Sequence, residues 1–535
     1  MSTDRADEMP SAGATSAEMP SAVSLPAGFV ARMERLLGSD YPAFLAAYDK
    51  PLRPSLRLNP LRNPTFPGEA DPAPSLPYPA EPIPWAAGGY YYPADGSVRP
   101  GKHPYHEAGL YYIQEASAMI PASLCPPQPG ERVLDLCAAP GGKATQLAGA
   151  MAGRGLLVAN EIHAGRAAIL SQNMERMGVR NALVTNQSPA SLAKRFPGFF
   201  DRIVVDAPCS GEGMFRKEPQ AAAMWSQENV VLCAARQDEI LDCAAIMLRP
   251  GGYLTYSTCT FAPEENEGTL LRFLQRHPDF DTVKPENPLV LSCLASGLLD
   301  PGRPDFVAGG QAYASAIRRA VRLFPHHADG EGHFAVVLRK APGGNGAADT
   351  APVHCVPSGS GEKRSTGGRA GKGNRPPAKK ASASQGMAEV LSLFSAFMDE
   401  LTGTSSGWAH LMGQDWIPCL FGDALSLLPA GCGIGADSLT GLRVLRPGLC
   451  AGVVRGGRFE PSHGLAMALE PNRLSHVFPL DGVGTAEAYL HGDTRPCDAS
   501  LRGWYLVTLD DLPLGWGKAS GGTMKNHYPK GLRRP

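Results

Sequence analysis

The sequence reads as an α/β protein built on parallel βαβ units, with a small α+β module ahead of it and a further folded region behind. Three observations carry this reading. Between residues 103 and 342, short apolar runs alternate with helical segments, the pattern of strands joined by crossover helices. A glycine-rich turn follows the first of those runs. A stretch from 343 to 385, rich in Gly, Ala, Pro, Ser, Lys and Arg, then separates this region from the next, as a flexible linker does.

Taken in order, residues 1–25 are small, polar and proline-containing, and are expected to be disordered. Residues 26–102 open on the helical pattern PAGFVARMERLLGSDYPAFLAAYD and continue through a proline-rich, partly extended stretch with LRLNPLR and GGYYYP. From 103 to 342 the expected strands are RVLDLC (132–137), LLVANE (156–161), DRIVVDAP (201–208), GYLTYSTC (252–259) and FAVVLR (334–339). KATQLAGAMA and HAGRAAILSQNMERMG are helices between them, expected to cover both faces of a parallel sheet. Residues 386–535 begin with the helical MAEVLSLFSAFMDEL and pass into short strand-like runs broken by Gly and Pro.

The chain has 535 residues and a formal net charge of -1; at roughly 100–200 residues per domain, about three domains fit. Without a global basic excess, any nucleic-acid contact must use local charge. No apolar run reaches the roughly 18 residues of a bilayer span. The first residues, MSTDRADEMPSAGATSAEMP, carry no export signal, so the expectation is a cytoplasmic monomer with no membrane partner. None of the twelve cysteines forms a CxxC pair or a zinc-type cluster. They are expected to be free thiols with no metal.

Local basic charge falls in two places. Residues 363–380 carry Lys363, Arg364, Arg369, Lys372, Arg375, Lys379 and Lys380 with no acid among them; this is a solvated linker or a phosphate-attracted tether. The last stretch carries Lys518, Lys525, Lys530, Arg533 and Arg534 interleaved with His527 and Tyr528. Such a mixture suits an irregular or single-stranded RNA surface, against the alternative of a solvated tail.

In LDLCAAPGGKATQL, Pro140-Gly141-Gly142 makes a turn without side chains. A ligand can approach its backbone, and the helix N-terminus can meet an anionic group. Ligands of open α/β sheets bind at the carboxyl ends of strands. Glu161 ends the next strand and can accept from ribose hydroxyls or complement a helix dipole. Cys209 and Cys259 close two further strands, where a thiol facing a crevice is reactive. Cys233 and Cys243 lie in a helical run and read as core.

VLDLCAAPGGKATQL, VANEI, DAPCSGEGMFRKEP and YSTCTFAPEENE resemble the motifs of the Sun-type RNA cytosine-5 methyltransferases, and within them the RsmF/YebU branch. LRLNPLR, HPYHEAGLYYIQEASAM, RFEPSHGLAMAL and WGKASGGTMKNHYPKGLRR extend the resemblance to nearly the whole chain. It implies a Rossmann-like methyltransferase core at 103–342, an N-terminal RNA-binding module at 26–102, and a C-terminal RNA-binding region at 386–535 with a PUA-like fold. It also implies S-adenosylmethionine as cofactor and small-subunit (16S) ribosomal RNA as substrate, rather than DNA. Carried over residue by residue, Cys137, Ala138, Ala139, Pro140, Gly141, Gly142 and Lys143 hold the cofactor. Glu161 takes its ribose, and Asn186 stands where the family has an adenine-side acid. Asp206 lies between cofactor and base, Cys259 is the nucleophile, and Cys209 is the second cysteine, needed for product release.

That chemistry explains the residue types. Carbon 5 of cytosine is a poor nucleophile until a thiolate adds to carbon 6, and a thiol both adds and leaves readily. A cysteine titrates near about 8.5, so Cys259 needs local activation. Addition is eased by a proton or strong hydrogen bond at ring nitrogen 3, for which Asp206 would be protonated or share a proton. Cys209, as a thiolate or through a water, would then remove the proton on carbon 5, with Lys143 orienting Asp206 or stabilising the thiolates, against the alternative of a helix-start surface lysine. Arg216 and Lys217 are candidates for target phosphates or a solvated pair; Tyr90, Tyr91 and Tyr92 stack bases or pack a core. The rival readings are a DNA-type enzyme with Cys209 as nucleophile, a transfer-RNA methyltransferase, and a non-catalytic RNA-binding assembly factor.

Overall fold

The structure, a computed structural model, describes residues 24–62, 76–343, 383–405, 408 and 415–534. Residues 1–23 and the basic run at 363–380 lie outside the described residues. The first helix, Ala27–Leu37, buries Phe29, Met33 and Leu37 at four-residue intervals and ends at Gly38, where φ is 54°. That spacing puts one apolar stripe on one face. The stripe packs with Phe215 and Phe261, in the loops that follow the two cysteine-bearing strands. A four-stranded sheet (Ser55–Leu58, Glu81–Pro82, Gly89–Tyr91 and Tyr111–Ile113) completes this module.

The central sheet contains β1 (Arg132–Asp135), β2 (Leu156–Asn160), β3 (Ala182–Thr185), β4 (Phe200–Asp206), β5 (Leu248–Thr258), β6 (Phe280–Val283), β7 (Asp300–Pro301), β8 (Val321–Leu323), β9 (His333–Lys340) and β10 (Val444–Pro447). Its order is β7-β8-β9-β5-β4-β1-β2-β3-β10, with β6 also on β9. Strands β3, β2, β1, β4 and β5 are mutually parallel. Helices α1 (Gly142–Ala150), α2 (Ala164–Arg176), α3 (Pro189–Arg195), α4 (Gln227–Met247) and α5 (Glu267–Arg276) connect or follow them. Alternation along β1 sends Leu134 into the core that contains Leu241 and Phe273. Val133 enters the opposite core, with Leu147 and Leu170.

Three features differ from the sequence expectation. FAVVLR, expected to be parallel, forms β9 antiparallel to β5. It returns from β8 as a hairpin, and without a crossover helix it has no route to a parallel position. The short strand β3 was not anticipated, because polar residues flank its four apolar-to-neutral positions. Strand β10, from the region expected to stand apart at 386–535, pairs antiparallel with β3 and closes that edge. Cys419, Leu428, Cys432 and Leu439 follow it into the central core beside Phe196.

Beyond it lie a four-stranded antiparallel sheet (Trp416–Phe421, Ala424–Pro429, Leu449–Arg455 and Arg458–Pro461) and a five-stranded sheet at Val477–Asn526. Tyr528 is buried and donates to Glu107, and Arg534 pairs with the same carboxylate at 2.9 Å. These two are anchors between the ends of the chain rather than parts of an open RNA surface. His527 remains exposed, with its ring 4.5 Å from that of Trp504.

Candidate active site

The carboxyl ends of β1, β2, β4 and β5 converge on one edge. After β1 the loop is pinned by backbone bonds from Leu136 N to Val204 O and from Ala138 N to Asn160 O. Gly141 has φ 118°, a conformation that disfavours any side chain. A Cβ there would point at Leu170 and Asn173 of α2, at 3.3 and 3.5 Å. The loop carbonyls are also claimed: Asn173 donates to Pro140 O and Arg166 to Ala139 O. From the N-terminal module, buried Arg57 donates to Gly142 O and Thr145 Oγ1. LRLNPLR therefore props the start of α1.

Asp135, under this loop, is 0 % exposed, and neither carboxylate oxygen has a partner among the described residues. Burial, and then the neighbouring Asp206 charge, push its acid up to about 7. Glu161 is 3 % exposed; it accepts from His163 N and lies 3.4 Å from Arg166. Asn186 spends its NH2 group on the carbonyls of Glu161 and Ile162, both at 2.7 Å. Its amide is thereby oriented with the oxygen left to accept.

Asp206, at the end of β4, takes Lys143 Nζ at 2.7 Å on one oxygen and Ser257 Oγ at 2.7 Å on the other. Lys143 is largely buried, so it is not a surface lysine. Burial alone would raise the Asp206 acid, but Lys143 and His333 outweigh it and hold the group far below the usual carboxylate range. Lys143 stays charged because Asp206 overcomes its desolvation.

The Sγ atoms of Cys209 and Cys259 are 3.3 Å apart. The shared hydrogen bond with Cys259, and then burial, raise the Cys209 thiol well above its ordinary value. The loops carrying the two cysteines are laced together. Glu265, completely buried, accepts from Ser210 N at 3.1 Å and from Gln237 at 2.8 Å. Gly213 N donates to Cys259 O at 2.9 Å, and Gly213 is packed so that a Cβ would lie 3.0 Å from that carbonyl. Glu212 accepts from Phe261 N and Trp225 and pairs with Arg32 of the first helix.

The sequence reading missed Asp135, Ser257, His333, Glu265 and Arg57. An acid at the end of a buried strand was the available signal for Asp135; the others depend on contacts between distant segments. Arg216 is no phosphate ligand in this structure: Glu331 holds it with bonds of 2.8 and 3.0 Å, and Ala47 O takes a third. Lys217 is exposed, Tyr91 is core, and Cys233 is buried while Cys243 is only partly so.

Comparison with known proteins gives a consistent set of matches. Residues 122–339 match the model described as 16S rRNA methyltransferase RsmB/F, and 25–116 match the N-terminal domain of 16S rRNA methyltransferase RsmF. Residues 398–469 match the first C-terminal domain of RsmF rRNA methyltransferase, and 482–534 the methyltransferase RsmF PUA domain. Ribosomal RNA small subunit methyltransferase F of Vibrio cholerae is 32% identical over 518 residues, 96% of this chain and 98% of that one. The protein of the same name from Citrobacter koseri is 32% identical over 522 residues, covering 96% and 97%. Among solved structures, a methyltransferase homologue from Pyrococcus horikoshii is 28% identical with a TM-score of 0.48, covering 58% of this chain and 94% of that one.

Proposed function

The chain belongs to the family of the ribosomal RNA small subunit methyltransferases F, and on that premise we propose that it methylates carbon 5 of a cytosine in small-subunit ribosomal RNA, with Cys259 as nucleophile and Cys209 as the thiol that permits release. The observation that supports one site for both thiols is the 3.3 Å contact between the two sulfurs; the division of labour between them follows the family.

The residues fit S-adenosylmethionine. Asp135 offers an unpartnered carboxyl under the loop, Glu161 an acid at the end of β2, and Asn186 an amide oxygen for an adenine amine. Bound there, S-adenosylmethionine supplies an electrophilic methyl group. Cys259 adds to carbon 6 of the base and turns the ring into an enamine whose carbon 5 accepts that methyl. The two thiols share one hydrogen bond, and that contact together with burial raises the Cys209 thiol; Cys259 attacks as a thiolate. Once Cys259 is bonded to carbon, Cys209, as a thiolate or through a water, takes the proton from carbon 5. Asp206 stands as an anionic acceptor, oriented by Lys143 and Ser257.

The enzyme acts in the cytoplasm as a monomer on RNA, with the five-stranded C-terminal sheet as an RNA contact. The test is methyl transfer from labelled cofactor to ribosomal RNA, transfer RNA and DNA, with bisulfite mapping of the product. Label at carbon 5 of a cytosine in small-subunit RNA is expected; transfer only to DNA or transfer RNA, or none at all, overturns the reading.

A further inference from the structure

Addition of a thiolate to carbon 6 builds negative charge toward ring nitrogen 3, and a proton must meet it there. Lys143 and Ser257 hold Asp206 as a carboxylate, and a carboxylate has no proton to give. His333 stands behind it. His333 opens β9, where the next residue, Phe334, lies opposite Thr258 and Ala335 opposite Ser257. Two-residue alternation therefore puts His333 on the sheet face that carries Ser257 and Asp206. Its Nε2 is 3.6 Å from Asp206 Oδ1, just beyond hydrogen-bond length, and the residue is 3 % exposed. Neither ring nitrogen has a hydrogen-bond partner among the described residues. A buried polar group left unpaired is destabilising, so an apolar ring would fill this place more stably. The carboxylate that faces the ring is Asp206 from β4, which also takes Ser257 from β5 on the same oxygen and Lys143 from α1 on the other.

We propose that His333 is a positioning residue of the methylation reaction that exchanges a proton with Asp206, an inference that rests on the assignment of Cys259 above. The imidazolium gives its Nε2 proton to Asp206 Oδ1, and Oδ1 passes it to ring nitrogen 3 while a Cys259 electron pair forms the S–C6 bond. At release Cys209 takes the proton from carbon 5, and that C–H pair restores the ring double bond. The S–C6 bond breaks with its electrons returning to sulfur, and the nitrogen-3 proton returns through Oδ1 to His333. His333 ends the cycle as it began, and the single proton lost is the one from carbon 5.

The test uses the full chain with His333→Phe, which keeps the ring and removes both nitrogens. Affinity for S-adenosylmethionine and for RNA is expected within about twofold of wild type. Single-turnover methylation of cytidine RNA is expected to fall about a hundredfold or more, the scale of a lost proton transfer. RNA carrying 5-azacytidine has a more electrophilic carbon 6, so its covalent capture depends less on the nitrogen-3 proton and should be slowed far less. A purely structural role would slow both reactions alike. Equal losses on both substrates, or wild-type methylation by the variant, overturns the proposal. Should His333→Phe fail to fold, His333→Gln, which hydrogen-bonds but does not titrate, is expected to show the same split. Absence of capture by the wild-type chain would instead overturn the assignment of Cys259.

Discussion

The sulfur of Cys209 lies 3.3 Å from that of Cys259, across 50 positions of sequence. Such proximity makes their roles separable by substitution. Cys259→Ala is expected to abolish both methylation and any covalent RNA complex. Cys209→Ala should still add and methylate, then accumulate as a protein–RNA adduct that migrates as a slow band on a denaturing gel. The double variant should show no band. An adduct from Cys259→Ala and none from Cys209→Ala would exchange the two roles.

Lys143→Met removes the counter-charge from Asp206. In the wild type the folded-state acid is depressed, so its stabilising contribution is present above the ordinary carboxylate range and is lost only as pH falls toward its low folded value. Without Lys143, burial dominates and the Asp206 value rises. The variant is expected to be less stable than wild type near neutral pH, with the gap narrowing as acid protonates Asp206. Denaturant midpoints measured across pH check this; a gap that stays constant from acid to neutral excludes it. Activity should fall at least tenfold.

Glu265 works in the opposite direction. Burial raises its acid to about 7, against the opposing bonds from Ser210 and Gln237. A folded value above the unfolded one makes ionisation costly, so stability declines as pH rises from the ordinary glutamate range through about 7. Glu265→Gln is expected to flatten that decline, read again from denaturant midpoints. A slope unchanged by the substitution would mean that another group sets it.

How much of this was legible in the sequence follows from where the information lies. Cys137–Lys143, Asp206, Cys209 and Cys259 sit in contiguous strings whose glycines, prolines and strand ends reveal their surroundings. Asp206 also shows the limit, because its ionisation depends on Lys143 and Ser257, each on another element. His333 carries no signal of its own, since nothing in EGHFAVVLR says which residue faces it. Tyr528 read as an exposed aromatic among charges because its partner, Glu107, is 421 positions away. The four residues of β3 were too short a run to separate from loop, and β10 joins it from a distant segment.

That joint changes the outcome expected of truncation. On sequence grounds, a chain ending near residue 345 should keep cofactor binding and lose salt-sensitive RNA affinity. The structure adds that it would also bare the edge of β3 and uncover the core packed by Leu428 and Leu439. Exposed strand edges pair with other chains. The truncated chain is expected to aggregate, as light scattering would register, unless the cut is moved beyond β10. A monodisperse, cofactor-binding fragment 24–345 would show that β10 is dispensable to the sheet.

The same joint has a consequence for biosynthesis. A ribosome releases the chain from its N-terminus, so β3 leaves the exit tunnel long before β10 exists. At about 5–20 residues per second, the roughly 260 intervening residues take on the order of 10–50 s to make. Through that interval the nascent sheet holds an unfilled edge position beside β3, open to capture by a neighbouring polypeptide on the same messenger.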